Sequence, residues 1–160
     1  HALKSSKTPS VLSLTRQNLE PIRKKYSNVN KCSLGAYEVF RTNKKIHLTI
    51  IASGSEVNLA IETSHKLAKE KVYSKVISMP CQDLFDSQSR TYKQKILNET
   101  KMKISIEAAS TDSWKKYVGN EGLTFGIDTF GKSAPYKEIY KYFGLTAANI
   151  ANKSKKLINR

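Results

Sequence analysis

One stretch restricts the fold more than any other. It begins with Ile46-His47-Leu48-Thr49-Ile50-Ile51-Ala52 and continues through Ser53-Gly54-Ser55-Glu56. It ends, one helix later, with Lys75-Val76-Ile77-Ser78-Met79. The first run is nearly all apolar. A strand with one face in water alternates, so this one reads as covered on both faces. After the Gly-bearing turn, Val57, Ala60, Ile61, Ser64, Leu67 and Ala68 recur at helical spacing, which predicts a helix to about Glu70. Strand, helix and strand over this span form a right-handed βαβ unit. Such a unit needs helices above and below its sheet.

The rest of the chain supplies them. Gly35 to Arg41 alternates loosely and reads as a strand, and Thr42-Asn43-Lys44-Lys45 is short enough to join it to the next strand as a hairpin. Helical segments are expected over 83–88 and 91–97, with Tyr92, Ile96 and Leu97 inward. Met102 to Ala108 alternates as a half-buried strand ending on Glu107. Thr111-Asp112-Ser113 is placed to cap a helix bearing Trp114, Tyr117 and Val118. Ser133-Ala134-Pro135 opens another, since the missing proline amide has no partner in a first turn. Gly144 stops it, and Thr146 caps a last amphipathic helix with Ile150, Ser154, Leu157 and Ile158 on one face. Alternating β and α with one antiparallel pair predicts a three-layer α/β/α fold with a mixed, mostly parallel sheet.

Composition removes some functions. The formal net charge is +15, large enough to raise the question of a polyanion partner. Yet 23 of the 28 basic residues are Lys, scattered and not interleaved with aromatic residues. Proteins that read bases lean on the arginine fork. Nucleic acid is therefore not the expected partner, and a standalone basic interaction module binding anionic partners is the alternative. Cys32 and Cys81 fit no metal spacing, and His1, His47 and His65 lack the paired spacing of a zinc site. Two free thiols fit a reducing compartment, so a cytoplasmic location is expected. No run approaches the ~20 apolar residues that span a bilayer, no signal peptide is recognised, and membrane partners are not expected. The chain opens at His1-Ala2-Leu3 without methionine, as a fragment or a cleaved start would.

Catalytic constellations are scarce. Ser53 and Glu56 have capping-box spacing, which accounts for them better than phosphate binding at the Gly54 turn, where Glu56 would repel an anion. Cys81 follows Pro80 at a strand end but has no histidine near it in sequence, and a buried small residue is the simpler reading. Glu107 is placed as a general base or as a partner for one of the many lysines. No Gly-rich phosphate loop, metal motif or Ser-His-Asp pattern is present.

The first 24 residues stand apart. Val11-Leu12-Ser13-Leu14-Thr15 reads as a strand that stops at Arg16-Gln17-Asn18-Leu19, and the polar stretch from Glu20 to Lys31, with Pro21 and Arg23-Lys24-Lys25, reads as a linker. Five segments in order resemble the C-terminal part of the transketolase family, thiamine-diphosphate enzymes that move two-carbon ketol units between sugar phosphates. They are TPSVLSLTRQNL (8–19), ASGSEVNLA (52–60), VISMPCQDLFDSQ (76–88), SIEAAS followed by Trp114, and GIDTFGKSAP (126–135) before Phe143-Gly144-Leu145-Thr146. The Gly-Ser-Glu-Val piece alone would also fit deoxyxylulose-phosphate synthase or the β subunits of 2-oxo-acid dehydrogenases.

The resemblance implies a division of labour. The family's cofactor-binding Gly-Asp-Gly motif and its activating glutamate belong to two other domains and are not in these residues. Thiamine diphosphate and a divalent cation, Mg or Ca, are thus expected in the parent enzyme and not in this chain, which alone would be inactive. Residues 1–24 resemble a remnant of the pyrimidine-binding domain's last strand plus the start of a linker, and 25–160 the C-terminal domain, which packs in a homodimer. No catalytic, cofactor-binding or metal-binding residue is expected here. One site residue carries over: the arginine of the TRQNL motif contacts the substrate phosphate, which puts that role on Arg16. Where the family often has Pro directly after Asn-Leu, Glu20 intervenes before Pro21; the Arg-Gln-Asn core is intact.

Overall fold

Every residue of Leu48–Ala52 is buried, as a doubly covered strand requires. A computed structural model describes residues 1–23 and 26–158. Its strands are β1 (Tyr37–Arg41), β2 (Leu48–Ala52), β3 (Ser74–Ser78), β4 (Lys103–Ile106) and β5 (Leu123–Phe125). Its helices are α1 (Glu56–Lys69), α2 (Gln82–Asp86), α3 (Arg90–Leu97), α4 (Lys115–Val118), α5 (Tyr136–Tyr142) and α6 (Ala147–Ile158). One mixed sheet has the order β1-β3-β2-β4-β5. Only β1 runs antiparallel, against β3; the other pairs are parallel.

The pleat divides the core in two. Leu48, Ile50 and Ala52, with Val76, Ile104 and Ile106, meet Val57, Ala60 and Leu67 of α1 and Ile150, Ala151 and Leu157 of α6. Ile51 and Ile77 point the other way, onto Phe85, Ile96, Leu97, Trp114, Tyr117 and Val118 from α2 to α4. Successive strand residues face opposite sides, so neighbouring isoleucines 50 and 51 serve different layers. The three-layer α/β/α fold and its mostly parallel mixed sheet are as expected. Thr146 caps α6 as expected: its hydroxyl accepts the Asn149 amide at 3.3 Å.

Four local expectations are corrected. Residues 11–15 form no strand: Val11, Leu12 and Leu14 are exposed, and β1 and β5, the two sheet edges, do not pair with them. An apolar run becomes a strand only where a neighbour takes its backbone bonds. The 35–52 region forms no hairpin, because β3 lies between β1 and β2. Residues 42–47 cross over the start of β3 instead. The Thr42 amide donates to the Ser74 carbonyl at 3.0 Å, and the His47 amide to that of Tyr73 at 2.8 Å. Two strand spacings are about 10 Å, an easy reach for six residues. Thr111 caps nothing with its side chain, whose hydroxyl donates to Asp128 at 2.9 Å. Finally, β5 was not foreseen: three residues between Gly122 and Gly126 are too few to show a period.

The stretch read as a linker is partly docked. Ile22 packs against the α1–α6 side of the core, and Asn58 of α1 donates to the Glu20 carbonyl at 3.4 Å. Lys24 and Lys25 of its basic run lie outside the described residues.

Candidate functional site

The sheet order creates a crevice. From β2 the chain moves through α1 to β3 on one side, and later reaches β4 on the other. The segments leaving β2 and β4 diverge above their C-terminal ends. Open α/β sheets bind ligands at such a switch point. Here the two exits are Ser53-Gly54-Ser55 and Glu107-Ala108, and both line a cleft of about 370 Å³. Its other walls come from residues 13–15 and 17 and from Tyr136, Ile139 and Tyr140 of α5.

The side chains in this crevice satisfy one another. The Ser53 hydroxyl donates to Glu107 Oε2 at 2.6 Å. Burial raises the Glu107 carboxyl above its ordinary range, the Ser53 bond draws it back down, and the charge of Glu56 pushes it up again. Glu107 therefore pairs with a serine, not with a lysine. The expected capping box is also absent: the cap residue of α1 is Ser55, and no side chain caps the helix. Glu56 is only 3% exposed and turns inward. Its Oε1 accepts the Ser55 hydroxyl at 2.8 Å and the hydroxyl of Tyr140. Burial first, and the Glu56 bond second, push the Tyr140 phenol up to about 12.

Gln17 links this cluster to the N-terminal segment. It lines the crevice and also lines a second groove of about 580 Å³ with Asn18, Leu19, Glu20, Asn58 and Tyr140. Arg16, the one site residue the sequence analysis named, is exposed and lines neither space. Its guanidinium makes no hydrogen bond or ion pair among the described residues. Thr15 and Gln17 on either side of it face the crevice. Glu56 and Glu107 both line the crevice, so the Ser53-Gly54 turn is unsuited to an anion.

Other candidates are not brought here. His65 is exposed and its ring packs on Phe40 at 4.7 Å. Cys81 is the cap residue of α2, and Cys32 Sγ lies 3.7 Å from the Tyr37 hydroxyl. Among the described residues no three His, Cys, Asp or Glu side chains are grouped to hold a metal ion, and no helix is long and apolar enough to cross a membrane. Sequence reasoning missed Tyr140 and the inward Glu56. One signal for Glu56 existed: it shares a helical face with Ala60, Thr63 and Leu67, so a carboxylate stood on the buried stripe.

The model of the Transketolase-like TK C-terminal domain matches residues 35–146. The chain belongs to the transketolase family. A Bacillus subtilis transketolase is 42% identical over 165 residues, covering 99% of this chain and 24% of that protein. Among solved structures, a transketolase from Leishmania mexicana superposes with a TM-score of 0.75 at 37% identity, covering 84% of this chain and 19% of that one. A Pichia stipitis transketolase in complex with sedoheptulose-7-phosphate gives a TM-score of 0.73 at 33% identity, covering 83% of this chain and 19% of that one. The chain thus spans about a quarter of the length of the curated transketolases it matches, and its residues 35–146 match the family's C-terminal domain.

Proposed function

We propose that this chain is the C-terminal quarter of a transketolase and that Arg16 binds the phosphate of its sugar substrates. The observation that carries the reading is the setting of Arg16. The backbone after it is docked on the domain through Glu20 and Ile22, while the guanidinium is exposed and has no partner among the described residues. A held guanidinium with free donors suits a phosphate, which it can grip with two parallel bonds. The contact would contribute about 1.5–3 kcal/mol, or about ten- to a hundredfold in affinity. It lies far from any reacting carbon and acts on binding more than on the chemical step.

In this reading residues 1–24 are the end of the neighbouring pyrimidine-binding domain plus the start of a linker. The exposed Val11, Leu12 and Leu14 are then strand residues whose sheet belongs to that neighbour. Residues 25–160 form the C-terminal domain, which adds packing and homodimer surface in a cytoplasmic enzyme. The described residues do not fit thiamine diphosphate and its cation: no metal-ligand group is formed among them, and Glu56 and Glu107 line the crevice where a diphosphate would need cationic or amide donors. In this reading the cofactor belongs to the rest of the enzyme, and the chain alone has no turnover.

The test uses the complete enzyme carrying this sequence. Arg16→Ala should raise KM for phosphorylated ketose donors about ten- to a hundredfold. An unphosphorylated donor such as hydroxypyruvate should be unaffected. Equal losses for both donors would refute the phosphate role. Calorimetry on the 160-residue chain should detect no thiamine diphosphate binding; micromolar affinity would refute the assignment of the cofactor elsewhere.

A further inference from the structure

An arginine on irregular backbone is a poor ligand unless its segment is held. Residues 11–15 and 18–20 have no regular secondary structure, and 16–17 are a bend. Among the described residues, 11–20 make no hydrogen bond from backbone to backbone. Two bonds to side chains stand in their place. Asn58 of α1 donates to the Glu20 carbonyl at 3.4 Å, beyond Arg16 on the C-terminal side. The other bond spans Arg16 itself: the Gln17 amide donates to Thr15 Oγ1 at 3.2 Å.

That second bond defines a turn. A threonine oxygen that accepts the amide two residues on replaces the carbonyl of a backbone turn and narrows the conformations of the residue between. Here the residue between is Arg16. Thr15 and Gln17 both line the crevice. With its two neighbours turned inward, Arg16 points out, and it is exposed. The guanidinium sits at the end of a long side chain, so a change of backbone direction at its root is magnified at its tip. Nothing else in 11–19 opposes such a change by a hydrogen bond among the described residues.

We propose that Thr15 is a positioning residue for Arg16: its hydroxyl, bonded to the Gln17 amide, closes a turn with Arg16 at its apex and sets the direction in which the guanidinium leaves the backbone. The inference rests on the phosphate reading of Arg16. Thr15 acts through the backbone of its neighbour and not by a contact of its own with the phosphate. Its loss scatters the arginine without removing it.

The experiment compares Thr15→Val, Arg16→Ala and the double variant in the complete enzyme, with a phosphorylated and an unphosphorylated ketol donor. Thr15→Val keeps the shape and removes the acceptor. It should raise KM for the phosphorylated donor about two- to tenfold, with kcat and the unphosphorylated donor unchanged. Thr15→Ser, which restores the oxygen, should recover the parent KM. The double variant should be no worse than Arg16→Ala. Thr15→Ala removes the same oxygen and carries the test if Thr15→Val does not fold. A donor-selective Arg16→Ala beside a silent or non-selective Thr15→Val overturns the positioning role alone. So does a Thr15→Ser as impaired as Thr15→Val, since the methyl and not the hydroxyl would then matter. A double variant in which the two factors multiply overturns it as well, because Thr15 would then meet the phosphate independently of Arg16. A non-selective Arg16→Ala overturns the phosphate reading, and the positioning role with it.

Discussion

Ser53 and Glu107 are 54 residues apart, yet the serine hydroxyl donates to the carboxylate at 2.6 Å across the mouth of the crevice between β2 and β4. This bond closes the point where the sheet order reverses. It also gives a half-buried carboxylate its donor, and burial still holds that carboxyl above its ordinary range. A carboxyl raised in the fold contributes stability below its unfolded value and loses it as pH rises through the folded one. Glu107→Gln, which keeps an acceptor for Ser53, should therefore stabilise the domain at pH 7.5 relative to the parent, with the difference vanishing near pH 4. Urea denaturation at the two pH values reads it. Ser53→Ala should raise the Glu107 pKa further, as followed by carboxyl carbon shifts in an NMR titration.

Glu99 gives the opposite pH dependence. Arg41 of β1 grips it at 2.6 and 2.7 Å while also holding Glu38, and Lys75 of β3 reaches it at 3.0 Å. The Arg41 bonds first, and Lys75 after them, bring its carboxyl down to about 2 against the opposing effect of burial. A depressed carboxyl contributes stability above its unfolded value, 4.5, and loses it as pH falls through about 2. Glu99→Gln should flatten the acid limb of stability in that window. At pH 7 it should cost about 1–3 kcal/mol, below the usual figure for breaking a buried pair, because the carboxylate is partly solvated while Lys75 is 1% exposed.

Gly35 should tolerate no side chain. Its φ is +75°, and a Cβ there would stand 2.1 Å from the Phe85 amide nitrogen and 2.6 Å from the Cys81 carbonyl oxygen. Both neighbours are backbone and cannot swing aside. Gly35→Ala should cost about 2–5 kcal/mol, from strain and overpacking together. Gly54 has φ +48° and open space around its Cβ position, so Gly54→Ala should cost only about 1 kcal/mol. Urea midpoints of the two variants make the comparison.

The apolar run before Arg16 should make the isolated chain self-associate. Val11, Leu12 and Leu14 are 96%, 74% and 81% exposed, and Leu3 is fully so. Exposed apolar backbone without ladder partners is a template for pairing with another copy. Leu12→Lys with Leu14→Lys should shift the chain toward monomer in sedimentation at the same concentration. The urea midpoint should not move, because neither side chain packs on the core.

Where the sequence was legible, the period was long and the contacts local. The stripe of α1, the nearly all-apolar β2 and the cap at Thr146 each show in a dozen residues or fewer, and each is present. The family was legible too, because its motifs are runs of specific residues in a set order. Secondary structure failed where it depended on a distant partner. Residues 11–15 have the composition of a strand and no strand to pair with. Three residues of β5 become a strand only because β4 lies beside them.

The sequence by itself determined the layers, since hydrophobic periodicity states which faces must leave water. It also determined the residue types of the site, Arg16, Gln17, Ser53, Glu56 and Glu107, and the family to which their motifs belong. Only the tertiary structure decided their pairings. Ser53 and Glu56 stand at capping spacing, and both turn instead to partners supplied by β4 and α5. Local spacing offered each a partner within four residues. The fold offered Ser53 a half-buried carboxylate, and offered the buried Glu56 a phenol. Satisfying a carboxylate out of water outweighs completing a helix cap that water can serve.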